Sequence, residues 1–326
     1  MIRWILAFVL ALIFANFTQS LTGYEYVNSI LIYAGINALL ATSLNLVSGF
    51  TGQFSMGHAG FMSVGGYSAA WLALNLSSHF PALTTDPVGS QAIFLICILF
   101  GGLQAALAGY IVGLPSLRLK GDYLAIVTLG FGEIIRVIIL NTQAVGGPRG
   151  LAGIPSWTTL PWVYGILVAS LFYMWRLLQG SRGRAFMAVR EDEIAAASVG
   201  VFTTSAKVRA FITGAFFAGV SGSLFAHSLS YLNPQTFDFN RSFEAIIMVV
   251  LGGMGSLSGS VLAAFLLTGL RELLRLLKDQ GITELDYRMV VYSIALLVLM
   301  LTRPKGLFGR LEIKDLIPKL FGGKAT

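Results

Sequence analysis

The sequence predicts an all-α, polytopic membrane protein with about ten transmembrane helices. Of its 326 residues, 56% are hydrophobic and only 11% are charged, whereas a soluble domain carries about 25% charged residues. Mean hydropathy is +0.77, and several apolar runs approach the ~20 residues that a helix needs to cross a bilayer. The 37 glycines suit helices that pack closely in lipid. We therefore expect one transmembrane domain over residues 1–326.

Ten spans follow from the apolar runs, and the first is expected to be uncleaved because "LIFANFTQS" lacks a small-x-small cleavage site. The eighth and ninth spans are short, and Gly252 to Gly259 interrupts them. If residues 243–270 formed a single helix, the total would be nine. The predicted spans are residues 4–20, 26–48, 59–76, 91–114, 122–141, 160–179, 209–230, 241–252, 258–277 and 287–302.

The basic residues predict the orientation. Lysine and arginine favour the cytoplasmic side of a membrane, and they concentrate in the segment 176–209 and in the tail 303–326. Both segments can be cytoplasmic only if an even number of spans separates them, which favours ten spans. Both termini are then cytoplasmic, and 15 of the 22 basic residues lie inside. This distribution attributes the net charge of +7 to membrane orientation rather than to nucleic-acid binding.

Two glycine-rich segments interrupt predicted helices. Backbone groups freed at membrane depth need protein or water as partners, so such breaks usually line a cavity. The alternative is that the glycines serve close helix packing, with the polar side chains bonded to neighbouring helices. The candidate pathway residues are Asn45, Gly49, Gly52, Gln53, Ser55 and His58 in the first break, and Gly252, Gly253 and Gly255 in the second.

Charges inside predicted spans are few. Glu133 and Arg136 are three residues apart on one helix face and can form an ion pair, as can Arg241 and Glu244. A proton relay or a substrate site is the alternative interpretation. The sequence contains neither a GxxxxGK[ST] phosphate loop nor an HExxH motif. We therefore expect no metal and no cofactor, and no catalytic residues of its own.

The longest hydrophilic segment, residues 180–208, is predicted to be cytoplasmic. Residues 185–199 favour a helix that Gly200 would end. Such a helix is either a solvated connection or an element that docks into a groove of a partner protein. The charged candidates in it are Arg184, Arg190, Glu191, Asp192 and Glu193.

Several motifs in this sequence resemble one family. "SRGRAFMAVREDEIAAASVGV" resembles the coupling segment of branched-chain amino acid ABC transporter permeases. Ala195, Ala196 and Gly200 match the importer signature Glu-Ala-Ala-x-x-x-Gly, although Ile194 replaces its glutamate. "SLNLVSGFTGQFSMGHAGFMSVGGYSAA", "YLAIVTLGFGEIIRVIILNT", "GGPRGLAGIP", "MVVLGGMGSLSGS" and "LTRPKGLFG" are similar to further family motifs, in the same order.

The resemblance implies a permease subunit of an ATP-driven importer in the bacterial inner membrane. Its implied partners are a second homologous permease, two ATPase subunits that receive the coupling segment, and a periplasmic substrate-binding protein. The implied substrates are leucine, isoleucine and valine. Related permeases carry urea, short amides or other amino acids, and an ion-coupled secondary transporter is a further alternative.

Overall fold

The fold was analysed in a computed structural model that describes residues 25–81, 84, 86–117, 119, 121–279, 294, 306, 307 and 309. Short 3₁₀-helices cover Gln143–Val145, Gly147–Arg149 and Pro234–Phe237, and the strands β1 (Leu151–Ala152) and β2 (Tyr231–Leu232) pair antiparallel. The α-helices are α1 (Glu25–Ser48), α2 (His58–His79), α3 (Pro87–Ser116), α4 (Asp122–Asn141), α5 (Leu160–Gln179), α6 (Ser181–Glu191), α7 (Glu193–Ser198), α8 (Thr203–Leu229), α9 (Phe239–Gly252) and α10 (Leu257–Asp279).

Helices α1 and α8 form the centre of the bundle. Every residue of α1 from Ala34 to Ser48 is buried, as is every residue of α8 from Phe217 to His227. A helix that is apolar on all sides is one that neighbours cover on all sides. By contrast, α4 and α5 expose much of their apolar surface, as helices at the lipid boundary do.

Glycines allow α2, α3 and α8 to pack with their backbones in contact. A Cβ atom added to Gly65 would overlap the backbone of Gly219, and one on Gly222 would overlap the carbonyl of Met62. Small residues are the usual means by which helices associate closely in a membrane, where dispersion contacts replace the hydrophobic effect.

The bundle has two distinct ends, because α5 is 20 residues long and spans about 30 Å. The 180–208 segment begins at one end, and the β1–β2 pair lies at the other. We call the end at which the 180–208 segment begins the break face, and the end that carries the β1–β2 pair the strand face. Helix α9 runs toward the break face, and α10 returns antiparallel to α1, with Asn37 bonded to Thr268 and Asn45 bonded to Ser260.

Within the described residues, six helices are long and apolar enough to cross a membrane, so the chain is a helical, polytopic membrane protein. The single span over 243–270 considered above is wrong, because the chain turns between Gly252 and Leu257. Helix α9 has only 14 residues, or about 21 Å, which is less than the ~30 Å hydrocarbon core. The predicted spans 4–20 and 287–302, and almost all of the tail 303–326, lie outside the described residues.

The sequence predicts one helix over residues 185–199, and this prediction is wrong. The segment after α5 forms α6 and α7, which meet at Asp192 in extended conformation (φ −157°, ψ 116°). The Asp192 carboxylate accepts hydrogen bonds from the backbone N–H groups of Ile194 (2.8 Å) and Ala195 (3.0 Å). Aspartate is a strong N-cap, so it starts a second helix rather than continuing the first. Gly200 does follow the last helix, with φ +86°.

Candidate coupling and translocation site

The two glycine breaks meet at the break face, and Asn45 joins them. Its amide Nδ2 donates hydrogen bonds to the carbonyl of Ser256 (2.8 Å) and to Ser260 Oγ (2.7 Å), and its Oδ1 accepts one from Gly255 N–H (2.9 Å). Asn45 is fully buried. One side chain near the end of α1 therefore satisfies the Gly255 N–H, which the α9–α10 turn leaves without a helical partner.

Glycine is required in both breaks for conformation and for space. Gly52, Gly253 and Gly255 have φ values of +70°, +111° and +93°, a region that L-residues with side chains rarely adopt. Gly49 has no room for a Cβ atom beside Asn45 and the Gly255 backbone, and Gly252 has none beside Gly259.

Arg190 connects the 180–208 segment to both breaks. Its Nη1 donates a hydrogen bond to the carbonyl of Gly49 (2.9 Å), and its Nε and Nη2 donate to Glu191 Oε1 (3.3 and 2.8 Å). The guanidinium also fills the space beside Gly255, and the side-chain stem lies against Gly52. The residue therefore points into the protein, although the family resemblance places it in a segment that faces a partner.

Helix α7 and the residues after it expose apolar side chains at the break face. Ile194 is 76% exposed, Val199 79% and Phe202 86%. An apolar group of this kind typically marks a surface that a partner covers. Ala195 is exposed beside them, whereas Ala196 is only 4% exposed and belongs to the main hydrophobic core. Of the two alanines of the signature, only Ala195 is available for contact.

The charged residues of the 180–208 segment have different surroundings. Arg184, Glu191 and Asp192 are exposed. Glu193 Oε1 lies 2.7 Å from Nζ of Lys207, which is 4% exposed. A buried ammonium needs a partner of opposite charge, so Glu193 fixes α7 to the first turns of α8.

The remaining pathway candidates of the first break are buried. The Gln53 carbonyl accepts a hydrogen bond from Ser48 Oγ (3.1 Å), and His58 packs edge-on against Phe61. Ser55 Oγ accepts a long bond from Gly57 N–H (3.5 Å). These contacts are compatible with two roles for the break. It can serve close helix packing, or it can line a pathway that opens when the break moves.

The ion pair predicted from spacing on α4 is present. Glu133 Oε2 lies 2.7 Å from both Nε and Nη2 of Arg136. Both side chains are half-buried, on a helix that exposes much of its apolar surface. The pair neutralises two charges on a helix that otherwise contacts lipid.

The C-terminal motif returns to the second break. Leu307 N–H donates to the carbonyl of Leu251 (2.7 Å), and Gly306 and Gly309 lie against Gly253 without room for a Cβ atom between them. Gly306, Leu307 and Gly309 of the motif "LTRPKGLFG" therefore lie against the α9–α10 turn, which explains the two glycines.

Sequence reasoning missed the polar seam between α1 and α10. Asn45 and Asn37 contact Ser260 and Thr268, respectively. Asn37 and Asn45 are eight residues apart on α1, as are Ser260 and Thr268 on α10, and eight residues place two side chains within about 80° of each other around a helix. Two asparagines at this spacing in an apolar helix were a signal available in the sequence.

Three relatives illustrate what this chain is similar to. A family profile described as "Branched-chain amino acid transport system / permease component" matches residues 26–301. The high-affinity branched-chain amino acid transport system permease protein LivM of Salmonella typhimurium is 37% identical, over 83% of this chain and 67% of the relative. A probable LivM of Methanocaldococcus jannaschii is 26% identical (87% and 93%), and LivH of Escherichia coli K12 is 25% identical (85% and 92%). No solved structure matches the chain.

Proposed function

The chain belongs to the family of permease components of branched-chain amino acid transport systems, and we propose that it moves leucine, isoleucine and valine across the bacterial inner membrane. A permease component is a transport subunit rather than an enzyme. The sequence has no phosphate-binding loop, so ATP must be hydrolysed by partner subunits. The substrate proposal is supported by relatives that are named for branched-chain amino acids.

The proposed assembly contains this chain, a second homologous permease, two ATPase subunits and a periplasmic binding protein. Similarity to relatives of both the LivM and the LivH type supports pairing with a homologous permease. The 180–208 segment would then face the cytoplasm and contact an ATPase subunit, as the distribution of basic residues predicts.

The observation that carries the proposal is the arrangement of the 180–208 segment. It presents Ile194, Val199 and Phe202 outward, whereas Arg190, four residues before Ile194 in the same segment, holds the Gly49 carbonyl inward. An ATPase subunit that moves the exposed side would therefore pull directly on the first break. Glu193 and Lys207 carry the same motion to α8.

A substitution at the exposed side tests this function. In Ile194→Asp, a carboxylate replaces an apolar side chain that is 76% exposed, so membrane abundance is expected to stay normal. Copurification of the ATPase subunits and leucine uptake should both fall about tenfold or more, because burying an unpaired charge in an interface costs several kcal/mol.

The matched control is Ser198→Asp, an exposed residue on the same short helix whose hydroxyl bonds only to its own turn at Ala195. Retained ATPase binding and uptake in Ile194→Asp at normal abundance would contradict docking through this surface. Loss in both variants would indicate a general effect of charge instead.

A further inference from the structure

A cavity of about 260 Å³ lies between α1, α9, α10 and the end of α8. Its wall includes Asn37, which is near the middle of α1, about 18 Å of helical rise from Glu25. Strand β2 reaches into the bundle, since Tyr67 in the middle of α2 donates to the Leu232 carbonyl. The cavity extends from the level of Asn37 toward the strand face, where Ile30 and Glu272 line it, and it is distinct from the glycine breaks.

The side chains that line this cavity include two charges of each sign. Arg241 and Arg271 line it together with Glu244 and Glu272. Glu244 pairs with Arg241 (3.1 Å) and with Arg271, and Glu272 pairs with Arg275 at the edge of the cavity (3.4 Å) and accepts a hydrogen bond from Tyr26. Ionisable side chains within transmembrane segments are costly, and they usually mark a functional site. A lining with two charges of each sign suits a ligand that itself carries one of each.

Arg241 retains an unused donor. Its side chain is 12% exposed; Nη2 donates to Asn37 Oδ1 (2.8 Å), and the guanidinium lies over the Phe225 ring (5.4 Å to the centroid). Within the described residues, its buried Nε has no hydrogen-bond partner. A guanidinium binds carboxylates in a forked geometry, so a ligand carboxylate would satisfy this donor.

The rest of the wall is apolar and adaptable. Phe225, Met248, Leu267 and Ile30 line the cavity beside the charged residues. Methionine fills irregular space and adjusts to side chains of different shape. The volume lies below the ~300–1,000 Å³ of pockets for drug-sized ligands, which suits a molecule of amino-acid size.

We propose that this cavity binds the zwitterion of an apolar amino acid in transit, with the carboxylate on Arg241, the ammonium toward Glu244 and Glu272, and the side chain against Met248 and Leu267. The proposal rests on the function proposed above, since it places the substrate of that function within this chain. It goes beyond that function because selection would then occur in the permease as well as in the binding protein.

Protection of an introduced cysteine tests the site. Thr268 lines the cavity, so Thr268→Cys in a Cys97→Ala background should react with a small methanethiosulfonate in the purified, nucleotide-free assembly. Leucine at about ten times its dissociation constant should slow this reaction about tenfold, as expected for competition at one site. Lysine and glutamate at the same concentrations should not. Leu262→Cys, an exposed position on the same helix outside the cavity, is the control for leucine-dependent changes elsewhere.

The uptake of leucine by the unmodified assembly separates the two proposals. Uptake without protection would overturn the cavity site and leave the proposed function standing. Protection by another apolar amino acid that is imported in place of leucine would support the cavity and contradict the branched-chain substrate. Equal slowing by lysine or glutamate would contradict recognition of a zwitterion.

A second pair of variants covers the case in which Thr268→Cys disturbs the bundle. Leu267→Phe narrows the cavity, whereas Leu266→Phe changes the adjacent, exposed residue. With saturating binding protein, Leu267→Phe should change the ratio of the maximal uptake rates of leucine and valine about tenfold. This is the discrimination that one methylene group gives in an apolar pocket. Leu266→Phe should leave this ratio unchanged. An unchanged ratio in Leu267→Phe, with normal abundance, would contradict the site.

Discussion

Arg190 Nη1 donates a hydrogen bond to the backbone carbonyl of Gly49 over 2.9 Å. This contact joins the 180–208 segment to a break in α1 that is 141 residues earlier in the chain. Because Asn45 bonds the first break to the second, displacement of Arg190 would reach both. The proposed coupling therefore depends on a few polar contacts between backbone segments rather than on a long path through the core.

Replacing Arg190 by glutamine should uncouple ATP hydrolysis from transport. The charge-assisted bond to Gly49 is lost, which is worth about 1.5–3 kcal/mol, while the exposed side of the segment is unchanged. Leucine uptake should fall about tenfold or more, with ATPase copurification retained. Arg184→Gln, an exposed position on the same helix, is the control. Normal uptake in Arg190→Gln would rule out this contact as the connection.

Replacing Asn45 by leucine should destabilise the chain as well as stop transport. The buried N–H of Gly255 loses its partner, and an unsatisfied buried group of this kind costs about 1–3 kcal/mol. Thermal aggregation of the detergent-solubilised protein should occur at lower temperature. Asn75→Leu, whose amide bonds to Trp71 in its own helix, should have little effect. Equal stability of the two variants would show that Asn45 does not fix the breaks.

The two alanines of the signature should respond differently to glutamate. Ala196 lies in the core of the chain itself, so Ala196→Glu buries an unpaired charge and should lower membrane abundance. Ala195 is exposed, so Ala195→Glu should leave abundance normal and weaken ATPase copurification. Immunoblots of membranes and pull-downs of the ATPase subunits measure both. The reverse order of effects would contradict the orientation of α7.

Close packing between α2 and α8 predicts a sharp dependence on glycine. A valine at Gly65 would overlap the Gly219 backbone, so the helices must separate and lose contacts on both sides. Membrane abundance and thermal stability should both fall. Gly130→Val in α4, where an added Cβ would meet nothing within 4 Å, is the control. Similar stability of the two variants would contradict the α2–α8 contact.

The sequence predicted the class and the order of helices because apolar length and charge placement reflect the membrane directly. It also identified the glycine breaks and the ion pair of Glu133 with Arg136, since both depend on local spacing. The division between α6 and α7 was missed because Asp192 was read as part of a charged helix face and not as an N-cap.

The interior contacts could not be predicted from the sequence. Whether Ala196 faces a partner or the core depends on how α7 packs on α8, and the buried Lys207 gives no local signal of that arrangement. Likewise, the bond between Arg190 and Gly49 joins segments that are far apart in sequence, so periodicity and composition carry no information about it.

Uptake by the reconstituted assembly tests the central claim most directly. Vesicles would contain this chain, its homologous permease partner and the two ATPase subunits, with the binding protein outside and radiolabelled leucine as substrate. The account predicts accumulation that requires ATP inside the vesicles and the binding protein outside, and that falls about tenfold or more in Arg190→Gln. Leucine accumulation by this chain alone, driven by an ion gradient without ATP, would contradict it.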